Sequence, residues 1–196
     1  MDDDIERPRL AEDDAPEQAE EKFKLVTVLT DSGALFLHEK SEPVSFVAGD
    51  NSGKVYLDKE TTELVEALKD YIGEHGGLGI SAIQLGAKRR LFVMRRPFNG
   101  ENLEVIINPK ILRGEGKASK MEGCFSIPLP DGTGVVVERK SIIYITYDTE
   151  DGTQVEDMLV GMDARIFQHE YDHCAGALMI DSKTPTGKFR GFKRSY

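Results

Sequence analysis

The alternation of apolar and polar positions divides the chain into a few legible stretches. Between Thr61 and Gly77, the residues Leu64, Val65, Leu68, Tyr71 and Ile72 recur at helical spacing. That stripe predicts an amphipathic helix, opened by Thr61 or Thr62 as cap and stopped by Gly76–Gly77. A glycine-rich turn, GGLGISAIQLG, follows. Leu91 to Met94, Glu104 to Asn108, Thr133 to Arg139 and Ser141 to Tyr147 are rich in Val, Ile, Tyr and Phe and read as strands. Asp151–Gly152 predicts a tight hairpin between the last of these and a strand over Thr153 to Val160. A second helical pattern runs from Met162 to Cys174, with Ile166 and Phe167 among its apolar positions and Gly176 just past its end. A helix, a run of strands without βαβ alternation, and a further helix indicate the α+β class.

Composition narrows the picture. A chain of 196 residues, 39% hydrophobic and 31% charged, can bury one substantial core. No apolar run approaches the ~20 residues that a bilayer crossing needs. The start, MDDDIERPRLAEDD, has neither the basic head nor the apolar stretch of a secretory signal, and it is acidic where transit peptides are Arg-rich. Two cysteines cannot form a disulfide framework, so a soluble protein of a reducing interior is expected. The acid is unevenly placed. Residues 1–22 hold ten Asp or Glu and three Lys or Arg, which is −7 of the formal −10. Such a segment cannot bury enough apolar surface to order itself. It is expected to be a disordered leader, with 23–196 as a single folded domain. Lys183 to Tyr196, with five basic residues and no acid, reads as a short basic tail.

The chemistry concentrates in His169-Glu170-Tyr171-Asp172-His173. Histidines at i and i+4 share one helix face, so their imidazoles can converge on one ion, and the Glu beside the first can reach a water on that ion. A catalytic site of this type wants a third protein ligand and an open position. A third His six residues after the second is excluded, because that position is Met179; no Glu occurs after Glu170; and Asp181 lies at an unusual spacing. The ligand is therefore expected upstream. Cys124, in Glu122-Gly123-Cys124-Phe125-Ser126 between Gly116 and Pro128, is the best candidate. Cys174 directly follows His173, points about 100° away from the ligand face and reads as core packing. Asp172 reads equally as an acceptor that orients a ligating His or as a surface charge.

Three segments together resemble the peptide deformylase family: Gly77-Leu78-Gly79-Ile80-Ser81-Ala82-Ile83-Gln84, Glu122-Gly123-Cys124-Phe125-Ser126 and Gln168-His169-Glu170-Tyr171-Asp172-His173. Their order and spacing fit, as do Ile107-Asn108-Pro109, Val137-Glu138-Arg139, Gly176-Ala177-Leu178 and Asp181. The resemblance covers about Leu25 to Asp181. Ser81, Phe125 and Cys174 stand where that family usually has Ala, Leu and Leu.

The resemblance implies antiparallel β-sheets packed around a central helix that bears the HExxH motif, with an additional helix in the N-terminal half. It implies removal of the formyl group from formyl-methionyl nascent peptides, with release of formate. Cys124, His169 and His173 would hold one divalent ion, natively Fe²⁺, with Zn²⁺, Ni²⁺ or Co²⁺ able to occupy the site. Its water would be the nucleophile and Glu170 the general acid and base. The Gln84 amide and the Phe125 backbone N–H would stabilise the oxyanion, and Gly77, Leu78, Gly79 and Gly123 would bind substrate, the peptide adding as a strand. The implied partners are N-formyl-methionyl peptides and a transient ribosome contact. Neither membrane nor specific nucleic acid is expected, and the protein would be a monomer of the cytoplasm, or of the host cell's cytoplasm if viral. Two competing readings remain at this level: an endopeptidase with the same HExxH, disfavoured by the missing downstream ligand, and a binding module whose metal is closed off by a fourth protein ligand.

Overall fold

Hydroxyl and carboxylate caps and buried apolar stripes set the elements. The computed structural model describes residues 22–49, 53–130 and 133–194, so all but Lys22 of the acidic leader lies outside the described residues. A short helix α1 (Asp31–Leu37) begins at Thr30, whose hydroxyl accepts from Gly33 N–H at 3.0 Å. A small ribbon of β1 (Val47–Ala48) and β2 (Val55–Tyr56) precedes α2 (Lys59–His75). Asp58, rather than a threonine, caps α2: its carboxylate accepts from Thr61 N–H at 2.7 Å. Thr61 falls one turn inside, fully buried. Gly76 ends the helix in the left-handed region (φ 72°), which glycine adopts without a Cβ clash.

The glycine-rich turn is more ordered than its composition suggests. It forms strand β3 (Gly79–Ser81) and a 3₁₀ turn over Ala82–Leu85. Strands β4 (Leu91–Arg95), β5 (Leu103–Glu115), β6 (Ala118–Glu122), β7 (Thr133–Arg139), β8 (Ile142–Asp148) and β9 (Gln154–Val160) follow, then α3 (Gly161–Cys174) and β10 (Gly187–Arg194). The expected strand at Glu104 to Asn108 continues to Glu115 because Asn108, at φ 49°, and Pro109 sit where the register with β8 slips. Proline is tolerated at such a bulge. The Asn108 amide ties the spot down, donating to the Val44 carbonyl and to Asp148, each at 3.0 Å. Within the expected basic tail, β10 pairs antiparallel with β7.

Two sheets carry the site. The five-stranded sheet runs β3-β4-β5-β8-β9, the three-stranded one β10-β7-β6, and all pairings are antiparallel. Strand β4 shows why the larger sheet has two apolar faces. Leu91 and Val93 pack with Leu64, Val65, Leu68 and Ile72 of α2, whereas Phe92 and Met94 pack with Ile166 and Phe167 of α3. Each such side chain contributes ~1.5–3 kcal/mol when fully buried. Helix α3 thus lies against the larger sheet while its polar face meets β6 and β7 of the smaller one. The α+β architecture around a central HExxH helix is as expected, with α1, β1, β2, β3, β6 and β10 added. No helix among the described residues is long and apolar enough to cross a membrane.

Candidate active site

The three motifs meet along α3. The sulfur of Cys124 and one ring nitrogen from each of His169 and His173 lie within 4.8 Å of one another. Cys124 Sγ and His173 Nε2 are 3.3 Å apart. No fourth His, Cys, Asp or Glu joins this cluster among the described residues. Cys174 packs in the core with Phe92 and Phe167, and burial pushes its thiol up.

Of the two imidazoles, His169 is held from behind, whereas the buried Nδ1 of His173 has no partner among the described residues. Glu122, one end of β6, accepts from His169 Nδ1 at 3.0 Å, which turns Nε2 toward Cys124. The same carboxylate accepts from Arg139 Nε (2.6 Å) and Nη2 (2.8 Å) and from Arg165 Nη1 (2.5 Å). Burial opposes the charged form of Glu122, but the bonds from His169 and Arg139 outweigh it and hold its carboxyl well below the usual carboxylate range. Asp172 is buried as well, yet it touches no imidazole; it accepts from Arg139, Thr184 and Thr186. The carboxylate that orients a histidine is therefore Glu122, not Asp172. Gln168 anchors α3 by donating to the carbonyls of Lys140 (2.9 Å) and Ala164 (2.8 Å) and accepting from Lys140 N–H (3.0 Å).

Sequence reasoning gave Arg139 no role beyond its place in Val137-Glu138-Arg139 and passed over Arg165. The signal was present for both. Arg139 shares the inward face of β7 with Val135 and Val137, and Arg165 lies one helical turn before His169. An arginine on an inward face must find a carboxylate.

The fit to a divalent cation rests on the donor set and on its charge. One sulfur and two imidazole nitrogens suit several first-row ions. Burial, then the neighbouring His169, keep the His173 imidazole well below its ordinary value, which is the neutral, ligating form. At His169 burial works in the same direction, but bonds to Cys124 and Glu122 overcome it and raise the imidazole well above its ordinary value. The pocket between Cys124 and Glu122 thus favours a positive charge. The buried Glu170 Oε2 has no partner among the described residues. Burial raises the Glu170 carboxyl to about 7, in the range of a general base.

Gln84 is oriented by its own turn. Its Oε1 accepts from Ser81 N–H at 2.9 Å, and the Ser81 hydroxyl reaches the same oxygen at 3.2 Å. Nε2 is left to face Cys124 Sγ (3.4 Å) and Ser126 Oγ (3.1 Å). Two N-terminal amides bind the motifs together, Val26 N–H to the Gln84 carbonyl (2.8 Å) and Val28 N–H to that of Ser126 (3.0 Å).

A cavity of about 450 Å³ opens onto this cluster. Gly77, Leu78, Gly79, Gln84, Gly123, Cys124, Phe125, His169 and Glu170 all line it, with Met121, Met162 and Ile166 as apolar wall. The glycines make room for the protein's own side chains. A Cβ on Gly79 would meet Glu170 Oε1 at 2.7 Å, and one on Gly77 would strike the Phe125 ring. That ring packs edge-on against Tyr71 at 5.1 Å between centroids. Strand β3 is the outer strand of its sheet, and its first residue, Gly79, lines the cavity.

Known proteins of one family match the chain in sequence and in fold. The sequence profile of the polypeptide deformylase family matches residues 26–188. The peptide deformylase of Desulforudis audaxviator is 38% identical over 129 residues, covering 65% of this chain and 80% of that protein. The crystal structure of peptide deformylase from Thermotoga maritima superposes with a TM-score of 0.68 at 30% identity, covering 81% of this chain and 95% of the other. A Met-Ala-Ser-bound class I type b peptide deformylase from Acinetobacter baumannii gives 0.67 at 27% identity, covering 81% and 96%. With a family profile that spans residues 26–188 and a solved deformylase that superposes over 81% of the chain, this protein belongs to the peptide deformylase family.

Proposed function

We propose that this protein hydrolyses the N-terminal formyl group of formyl-methionyl peptides. The observation that carries the reading is the convergence of Cys124, His169 and His173 beside a buried, unpartnered Glu170 oxygen at the end of an apolar-walled cavity. The relatives are named for this activity, and one was solved with Met-Ala-Ser bound.

Cys124 Sγ, His169 Nε2 and His173 Nε2 would hold a divalent cation, which supplies Lewis acidity and a water acidified toward a pKa of ~7. The residues do the rest. Glu170 takes a proton from the attacking water as its oxygen bonds to the formyl carbon. The carbonyl electron pair moves onto oxygen, where Gln84 Nε2 and the Phe125 backbone N–H donate to it; that N–H bonds no acceptor among the described residues. Glu170 then delivers its proton to the amine as the C–N bond breaks, leaving formate and a free peptide N-terminus. Losing one such donor costs ~3 kcal/mol of barrier. Gly77, Leu78, Gly79 and Gly123 line the approach for the peptide main chain, with β3 as its pairing edge. One sulfur and two imidazoles accept several first-row ions; Fe²⁺ as the native ion, with Zn²⁺, Ni²⁺ or Co²⁺ able to occupy the site, rests on the family resemblance, and residues 23–196 form the catalytic domain. Nascent chains in the cytoplasm are the substrates.

The test is formate release from formyl-Met-Ala-Ser with intact casein as control. Formate without internal cleavage of casein supports the reading. Casein fragments without formate overturn it in favour of an endopeptidase.

A further inference from the structure

The two histidines are each preceded by a residue that the C-terminal segment grips. Thr186 sits across this pair. Its hydroxyl lies 2.9 Å from Asp172 Oδ1 and 3.1 Å from the Gln168 carbonyl, so its one hydrogen is shared between them. The same oxygen accepts from Arg139 Nη1 at 2.8 Å, and Thr186 N–H donates to Asp172 Oδ1 at 3.1 Å. Thr184 completes the hold: its hydroxyl donates to Asp172 Oδ2 at 2.6 Å and accepts from Gly187 N–H at 2.8 Å. Gly187 then starts β10 in register with Arg139. Arg139 is also the residue that clamps Glu122 behind His169.

We infer that Thr184 and Thr186 are positioning residues for the metal centre, a clasp by which the C-terminal strand fixes the rotation of α3 and hence the aim of both imidazoles. The inference rests on His169 and His173 being ligands. Two short paths run from Thr186 to them. One passes through Asp172 to the adjacent His173, the other through Arg139 and Glu122 to His169 Nδ1. An apolar clasp could supply packing alone, and β10 already packs Phe189 beside Val135 and Val137. The polar contacts add direction, because hydrogen bonds weaken steeply off axis.

The test uses the full chain loaded with Co²⁺, whose visible spectrum reports the donor set. Loss of Co²⁺ to excess chelator is followed well below the melting temperature. Thr186→Val is expected to release the ion about 10-fold faster or more, the range seen when groups behind metal ligands are removed. Thr186→Ser, which keeps the hydroxyl, is expected to stay near the parental rate. Thr184→Val, which removes one donor to Asp172, is expected to shift the rate in the same direction and serves if Thr186→Val does not fold. Asp58→Ala, at the remote cap of α2, is the control for general destabilisation and should leave the rate unchanged. Parental release from Thr186→Val, or acceleration by Asp58→Ala of equal size, overturns the inference. A Cys124→Ala chain that keeps the parental cobalt spectrum instead overturns the donor set itself, and the clasp with it.

Discussion

His169 Nδ1 and Glu122 Oε2 lie 3.0 Å apart, and the carboxylate between them and the two arginines is almost fully buried. Glu122 therefore does two jobs: it aims His169 Nε2 at Cys124, and it pairs with Arg139 and Arg165, Asp172 being the second carboxylate on Arg139. Glu122→Gln keeps the shape and removes the charge. Breaking a buried pair from one side costs ~3–5 kcal/mol, and removing a partner behind a metal-ligating histidine costs 10–100-fold, roughly, in metal affinity. Urea unfolding and chelator competition on the variant should show both losses. Parental values in both would contradict the role.

The same carboxylate sets acid stability. Its folded value is depressed by His169 and Arg139 against the opposing effect of burial. A depressed carboxyl stabilises above its unfolded pKa of ~4.3, and that stability is lost as pH falls below it. The metal-free protein should therefore weaken steeply on acidification from about pH 4.3, and Glu122→Gln should flatten this limb. The measurement is unfolding free energy against pH.

Glu170 gives the opposite sign. Burial raises its carboxyl to about 7, so its contribution is fully present below the unfolded value and is lost as pH rises through the folded one. Between pH ~4.3 and about 7, metal-free protein should lose stability, and Glu170→Gln, a mimic of the protonated acid, should remove that decline. The same variant should retain its ion while turnover falls by orders of magnitude. Near-parental turnover would exclude Glu170 as the proton carrier.

Ser81 and Gln84 separate orientation from catalysis. Ser81→Ala leaves the backbone N–H that orients the amide, so activity should change by less than about 1 kcal/mol of barrier, the scale of one neutral hydrogen bond. Gln84→Leu removes the donor and should cost ~3 kcal/mol in kcat. Steady-state kinetics on formyl-Met-Ala-Ser distinguishes the two.

Asp58 is a pure stability position. Asp58→Ala should cost ~1 kcal/mol in unfolding free energy through loss of the α2 cap, with kcat and KM unchanged. Any change in kcat would show that α2 couples to the site.

What could be read in advance followed physical periodicity. The α2 stripe, the β4, β7 and β8 runs and the HExxH helix were legible because their apolar residues bury on one or two regular faces, whereas the mostly exposed β9 was legible from the Asp151–Gly152 turn before it. Strands β6 and β10 were not, because ASKME and GKFRGFKR pair through backbone bonds while presenting mostly polar or exposed side chains. Asp58 was missed as a cap because two threonines follow it, and only burial shows that Thr61 is inside the helix. The candidate ligand set, Cys124, His169 and His173, was visible in the motifs, and the fold brings these three together. Its support by Glu122, Arg139, Arg165, Thr184 and Thr186 was not, since residues from three elements and the turn before β10 meet only after folding.

X-ray absorption at the metal edge of anaerobically purified protein addresses the centre most directly. One ion per chain is expected, held by one sulfur and two imidazole nitrogens, with a remaining light-atom position from solvent. A shell without sulfur, or a shell filled by a fourth protein side chain, would contradict it.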